Sequence, residues 1–371
     1  MSDMLDYLRA FGQTPFSARP FNAVDNLVLA QLSYLDYSGA AEKMPCALNK
    51  LDSGVTFGVM EKDNKALFSL AAGSARFGGS TALGYADVFS KEHTSQFAAV
   101  CFRLVDGSAY VSFRGTDSTL VGWKEDFMLS FTTPVPAQVL AAEYLSRVGR
   151  ALGCPLRVGG HSKGGNLAIY AAAFCSRPVQ DDIVAVYSND GPGFEKRVLE
   201  SEEYLRIKPR IRRFIPESSA VGILMDSDSE VCIVKSSAFG LGQHNPYSWQ
   251  TAGEGFVTRS ETSMSSEIIS LSQRDWFKCL SEDKRRQYTD MLFDILSAGN
   301  ARTLRDIRRD PGQLVSAVRA VMNLPAEDRA NLTEFVKQVF SSLYAGGSAA
   351  VKRKYASMVD FIKLKLGRPD E

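Results

Sequence analysis

The 371-residue sequence predicts an α/β protein with a mostly parallel central sheet and a C-terminal helical appendage. Three observations carry that expectation. β-leaning runs at 156–158, 182–188, 211–215 and 231–234 follow one another with helix-forming segments between the earlier ones, the order that builds a parallel sheet. The stretch from Pro155 to Tyr170 breaks from strand to helix through glycines set around one serine. From about Phe256 onward strand signals stop and helical periodicity takes over, which places the domains at 1–255 and 256–371.

The centre of the strand-to-helix stretch reads Gly160-His161-Ser162-Lys163-Gly164, a match to the G-x-S-x-G elbow that presents a nucleophilic serine. Such a turn holds its serine in a strained conformation, so the positions two before and two after it must lack bulk where helix and strand crowd. Gly160 and Gly164 stand there. The helix that follows points its free N–H groups and positive end back at the turn, which suits an oxyanion forming beside Ser162. The plainer reading, a glycine-rich turn that packs closely or cradles a phosphate, draws on Lys163. No Walker spacing can be drawn through Ser-Lys-Gly-Gly, however.

Composition sets the bounds. With 45% hydrophobic and 23% charged residues the chain is ordinary for a soluble globular protein. Its 43 basic and 42 acidic residues nearly cancel, leaving no whole-protein field to recruit nucleic acid or an anionic membrane. Six scattered cysteines without C-x-x-C pairing read as reduced thiols. The acidic N-terminus lacks the basic start of a signal peptide, and no span approaches the ~18 apolar residues of a membrane helix. The expectation is a cytoplasmic protein with no integral membrane segment.

In chain order, Met4, Leu5, Leu8 and Phe11 mark a short amphipathic helix before a turn around Pro15 and Pro20. A second helix runs through 21–37, capped by Asn22 or Asp25, and reads as core packing. Residues 38–95 read as short helical stretches and polar loops, with His93 a solvated side chain next to Lys91 and Glu92. Two β-rich runs, Gln96–Leu104 and Ser108–Phe113, flank Asp106-Gly107 and predict a hairpin. Beyond 256, helices are expected over Ser265–Leu271, Gln273–Leu280, Ser281–Ala298, Pro311–Met322, Pro325–Leu343 and Ser348–Leu366. Their alternating basic and acidic residues read as a solvated face, or as a cap or partner-binding surface for another protein or a second copy of the chain.

Phe113-Arg-Gly-Thr116, followed by Trp123 and Asp126-Phe127, resembles the oxyanion strand of the class 3 (fungal triacylglycerol) lipases, and Gly160–Gly164 resembles their elbow. Over about residues 1–255, Phe21-Asn-Ala-Val-Asp-Asn-Leu27, Asn189-Asp-Gly-Pro-Gly-Phe194 and Gln243-His-Asn-Pro-Tyr-Ser-Trp249 resemble the Mbeg-like bacterial family of predicted α/β-hydrolases. The resemblance implies an α/β-hydrolase fold and an oxyanion hole built from the backbone N–H groups of Thr116, with its hydroxyl, and Lys163. It also sets residues 120–131 in the place of a lipase lid, where a plain surface helix packed by Trp123 is the alternative.

A serine hydrolase of this fold carries its triad in the order Ser, acid, His, each on a loop after a successive strand. The chain has three histidines. His93 precedes Ser162, and His161 sits beside it with its side chain expected to turn away, which leaves His244 as the base. For the acid, the fungal lipases use an aspartate at a place where this chain offers Glu217. Asp190, which ends the preceding strand and belongs to the Mbeg-like pattern, is preferred, then Glu217, then Asp226 or Asp228. No clustered metal ligands and no G-x-G-x-x-G turn are present, so no cofactor is implied. The expected function is a serine esterase or lipase-like hydrolase forming an acyl-enzyme on Ser162, with a small acyl ester or lipid as substrate. The alternatives are a thioesterase or amidase with the same triad, or a non-catalytic scaffold that binds a partner through the C-terminal helices.

Overall fold

Two capped helices open the chain. Asp3 accepts hydrogen bonds from the backbone of Leu5 and Asp6 to start α1 (Met4–Phe11), and Asn22 pairs with Asp25 in a capping box that starts α2 (Ala23–Leu32). The computed structural model describes residues 2–51, 54–58, 60–260, 262 and 280–344. After β1 (Cys46–Ala47) and α3 (Glu61–Ala72) comes β2 (Thr81–Ser90), in a region whose sequence predicts only short helical stretches and loops. The reason is local: Gly84 lies at φ +64°, the register with the next strand shifts between Leu83 and Ala86, and the apolar alternation is lost there.

The expected hairpin forms from β3 (Ser95–Arg103) and β4 (Ala109–Phe113), turning at Gly107 with φ +86°. Next come α4 (Leu120–Met128), α5 (Pro136–Leu152), β5 (Leu156–His161) and α6 (Lys163–Phe174). They are followed by α7 (Arg177–Asp182), β6 (Ile183–Asn189), α8 (Lys196–Leu199), α9 (Glu202–Ile207), β7 (Ile211–Pro216) and β8 (Val231–Val234). A two-stranded ribbon of β9 (Thr251–Ala252) and β10 (Gly255–Phe256) precedes β11 (Thr258–Arg259).

Nine of these strands form one sheet in the order β1-β2-β3-β4-β5-β6-β7-β8-β11. The five strands β4 to β8 are parallel in sequence order, and the strands on either side of them are antiparallel. The sheet therefore runs past residue 255, since β11 pairs with β8. One apolar core gathers α5, α6 and α9 against the sheet, with Leu145, Val158, Leu167 and Ile207 buried in it. A second gathers α1, α2 and α3, with Leu8, Val28, Leu67 and Trp249. Each large side chain so buried contributes about 1.5–3 kcal/mol. The chain is thus α/β, a mixed sheet with helices packed against it.

The C-terminal helices are Glu282–Ser297, Leu304–Arg309, Pro311–Met322 and Ala326–Tyr344. Leu304–Arg309, capped by Thr303, lies between two predicted helices. The helices expected over Ser265–Leu271, Gln273–Leu280 and Ser348–Leu366 lie outside the described residues, Leu280 apart. Among the described residues, no helix is long and apolar enough to cross a membrane. The described cysteines, Cys46, Cys101, Cys154, Cys175 and Cys232, are free thiols.

Candidate active site

Ser162 stands at the junction of β5 and α6 with φ +57° and ψ −131°, a conformation that costs a non-glycine residue on the order of 1–3 kcal/mol. The crossing of strand and helix enforces it. A Cβ on Gly160 would lie 2.4 Å from the Gly164 carbonyl carbon, and one on Gly164 would lie 2.1 Å from the Phe113 oxygen. Only hydrogen fits at either place.

Parallel pairing then sets neighbouring strand ends side by side. His161 is in register with Asn189, Asn189 with Phe214, and Pro216 with Val234. Ser162, Asp190 and the loop after β8 consequently emerge at one edge of the sheet, where active-site groups of open α/β sheets collect. Asp190 too has a positive φ, +51°. Its carboxylate is fully buried, and Oδ1 accepts from the Ser219 hydroxyl at 2.5 Å and the Gly222 backbone N–H at 3.0 Å.

The other oxygen of Asp190 lies 2.6 Å from His244 Nδ1, and His244 Nε2 lies 3.0 Å from Ser162 Oγ. A carboxylate only accepts, so Nδ1 carries the hydrogen and Nε2 is left to accept the serine proton. The His244 side chain is 28% exposed and sits in the turn Gly240–His244. Glu217, the alternative acid, pairs instead with Arg259 at 3.2 Å. Asp228 accepts from Tyr204 and Lys208, and Asp226 pairs through its backbone with Phe194. Glu217 opens the loop after β7, and its carboxylate is taken by Arg259 of β11.

The strand end Arg114-Gly115-Thr116 passes directly against the serine: a Cβ on Gly115 would sit 3.1 Å from the Ser162 Cβ. The Thr116 hydroxyl is committed to Asp126, with 2.7 Å to each carboxylate oxygen, so its backbone N–H is what Thr116 can offer an oxyanion. Burial pushes the Asp126 carboxyl up to about 6, outweighing the opposing pull of Lys163 and of the Thr116 hydroxyl. Lys163, at the first turn of α6, turns its ammonium inward to Glu125 at 2.9 Å and to the Gln96 carbonyl at 2.8 Å.

Two expectations change here. The His161 side chain does not turn away, because its ring lies 4.6 Å from the His244 ring and its Nε2 is 2.8 Å from the His244 backbone oxygen. And α4, in the place of a lid, is held on both sides: Glu125 binds Lys163 within, while Phe127 packs on Phe293 and Phe335 without. Trp123 is 39% exposed and is not the packing residue. His93 is exposed in a turn, as its charged neighbours suggest. Neither Tyr34 nor Glu125 carries a motif, and both owe their place at the site to long-range packing.

Among the described residues no cluster of three or more His, Cys, Asp or Glu is arranged to hold a metal ion. The native propeptide complex of Rhizomucor miehei lipase is 16% identical to this chain, covering 55% of it and 67% of the lipase chain, with a TM-score of 0.33. M37 lipase is 12% identical over 86% of this chain and 96% of its own, with a TM-score of 0.34. No curated protein matches the chain. A family model described as Mbeg1-like matches residues 71–294, more than half of the sequence, and the chain belongs to that family.

Proposed function

We propose that this protein is a serine hydrolase of carboxylic esters built on an α/β-hydrolase fold, with Ser162 as nucleophile, His244 as base and Asp190 as acid. The observation that carries the reading is the hydrogen-bonded chain Ser162 Oγ to His244 Nε2 at 3.0 Å and His244 Nδ1 to Asp190 at 2.6 Å. His244 takes the serine proton as Oγ attacks an acyl carbonyl, and Asp190 holds the tautomer and stabilises the imidazolium. The backbone N–H groups of Thr116 and Lys163 receive the oxyanion, each worth about 3 kcal/mol where such a donor has been removed from other enzymes. His244 then returns the proton to the leaving alcohol. Water, deprotonated by the same histidine, then attacks the acyl carbon, and His244 passes that proton to Ser162 Oγ as the acid leaves.

Fluorophosphonate labelling and p-nitrophenyl ester hydrolysis test the reading, on native protein and on Ser162→Ala and His244→Ala. Native protein is expected to label and turn over, and both variants to lose both signals by orders of magnitude. A folded native protein that neither labels nor turns over would favour the partner-binding scaffold. Activity that survives Ser162→Ala would move the chemistry to another residue.

A further inference from the structure

The residue before the nucleophile belongs to the site. His161 is 4% exposed, and its ring is inclined 35° to the His244 ring at a centroid distance of 4.6 Å. Its Nε2 lies 2.8 Å from the backbone carbonyl of His244. A carbonyl only accepts, so Nε2 carries the hydrogen; the neutral ring then presents Nδ1 as an acceptor, and the Tyr34 hydroxyl donates to it at 2.9 Å. The same hydroxyl also lies 3.3 Å from the His161 carbonyl oxygen.

The loop that carries His244 needs such support. Asp190 reaches the imidazole at one atom only, which leaves the main chain of the turn Gly240–His244 to be fixed by something else. His161 holds the His244 carbonyl, and buried Trp249 donates from Nε1 to the preceding carbonyl, that of Gln243, at 2.8 Å. Tyr34 anchors the far end: besides Nδ1 it touches the oxyanion strand, since a Cβ on Gly115 would lie 2.1 Å from its hydroxyl oxygen. Burial, aided by the positive charge that His244 can carry, pushes His161 down to about 3, so it does not compete for the serine proton.

We propose that Tyr34 and His161 are positioning residues for the hydrolytic reaction: the Tyr34 hydroxyl holds the His161 ring through Nδ1, and His161 Nε2–H holds the main chain of His244, as Asp190 holds its ring. The inference rests on the hydrolase reading above. Misplacing a catalytic group by about 1 Å can cost on the order of 100-fold in rate.

The test compares kcat and KM on p-nitrophenyl acetate for native protein, Ser162→Ala, His161→Phe, His161→Gln and Tyr34→Phe, each checked for a cooperative thermal transition. His161→Phe keeps the ring and removes the donor, and is expected to lower kcat ~100-fold at an unchanged KM. The glutamine amide places an N–H near the lost Nε2–H, so His161→Gln is expected to keep kcat within several-fold of native. Tyr34→Phe removes the bond that anchors the His161 ring at Nδ1 and is expected to lower kcat about tenfold. Native kcat in His161→Phe overturns the inference, and so does a loss in His161→Gln as deep as in His161→Phe. If His161→Phe does not fold, the other two decide: native kcat in Tyr34→Phe, or loss in His161→Gln, overturns it. A native protein whose turnover Ser162→Ala leaves intact sinks the hydrolase reading. Turnover that Ser162→Ala abolishes while the three positioning variants stay native sinks this inference alone.

Discussion

Two residues of the elbow show how little room chemistry leaves here. A methyl group at Gly160 or Gly164 would meet backbone atoms at 2.4 and 2.1 Å, and backbone cannot rotate aside. Gly164→Ala is accordingly expected to abolish labelling and to destabilise the fold by ~3 kcal/mol or more, read from urea unfolding. His161 predicts a pH effect with a definite sign. An unfolded histidine binds its proton near 6.5, whereas the buried one is held to about 3, so on acidification between these values the unfolded chain takes up a proton that the folded chain does not. This residue's contribution to stability is complete above about pH 6.5 and declines below it, by up to ~1.4 kcal/mol per pH unit. His161→Gln is expected to flatten the stability profile between pH 6 and 4; an unchanged slope would show that His161 titrates normally.

At the scale of elements, α4 is the piece whose role changes most between sequence and structure. Its position after the Arg114-Gly115-Thr116 strand end suggests a lid, and its sequence alone gives Trp123 as the natural packing residue. Instead its inner face carries Glu125, fully buried, which accepts from Lys163 Nζ, the Gln96 backbone and the Ala137 backbone. Glu125→Gln removes the carboxylate that pairs with buried Lys163 and is expected to cost about 3–5 kcal/mol in unfolding free energy. The outer face docks the C-terminal helices: Phe127 meets the Phe293 ring at 5.5 Å, Lys124 pairs with Asp290 at 2.7 Å, and the Leu120 backbone donates to Arg302 at 2.8 Å. Phe293 is nearly fully buried there. Phe293→Ala is expected to remove about 3–5 kcal/mol from this contact, and limited proteolysis should then cleave the C-terminal helices sooner than in native protein. Equal cleavage rates would show that the docking does not depend on this pair.

Across the whole molecule, a buried ion pair binds the N-terminal segment to the sheet's helical layer. Arg76 and Asp25 are both fully buried, 2.5 Å apart, and Arg76 also donates to the carbonyls of Thr14, Arg19 and Pro20 while Tyr7 donates to Asp25. Breaking it from one side, by Asp25→Asn or Arg76→Met, is expected to cost about 3–5 kcal/mol, whereas the double variant Asp25→Leu/Arg76→Met should cost less than the sum of the singles. Additive losses would show that the two charges stabilise the fold independently. Asn26, one residue on, joins Asn189 of β6 and Tyr110 of β4 through buried hydrogen bonds, so α2 ties together the strands that flank the elbow strand.

What the sequence determined by itself is what depends on neighbours along the chain. The glycine spacing around Ser162, the Asp106-Gly107 hairpin, the caps at Asn22 and Ser281, and the C-terminal helices Glu282–Ser297 and Pro311–Met322 rest on local sterics and periodicity, and those signals are legible one window at a time. β2 escaped because its bulge erased the alternation. Tertiary structure alone decided which carboxylate meets His244, since Asp190 and Glu217 both follow parallel strands and only the course of the loops after β7 and β8 separates them. It also decided that His161 faces the site, that Tyr34 reaches it from the turn after α2, and that Glu125 reaches Lys163 from α4. Each of these contacts joins residues dozens of positions apart, and sheet register and helix packing, which no local pattern encodes, bring them together.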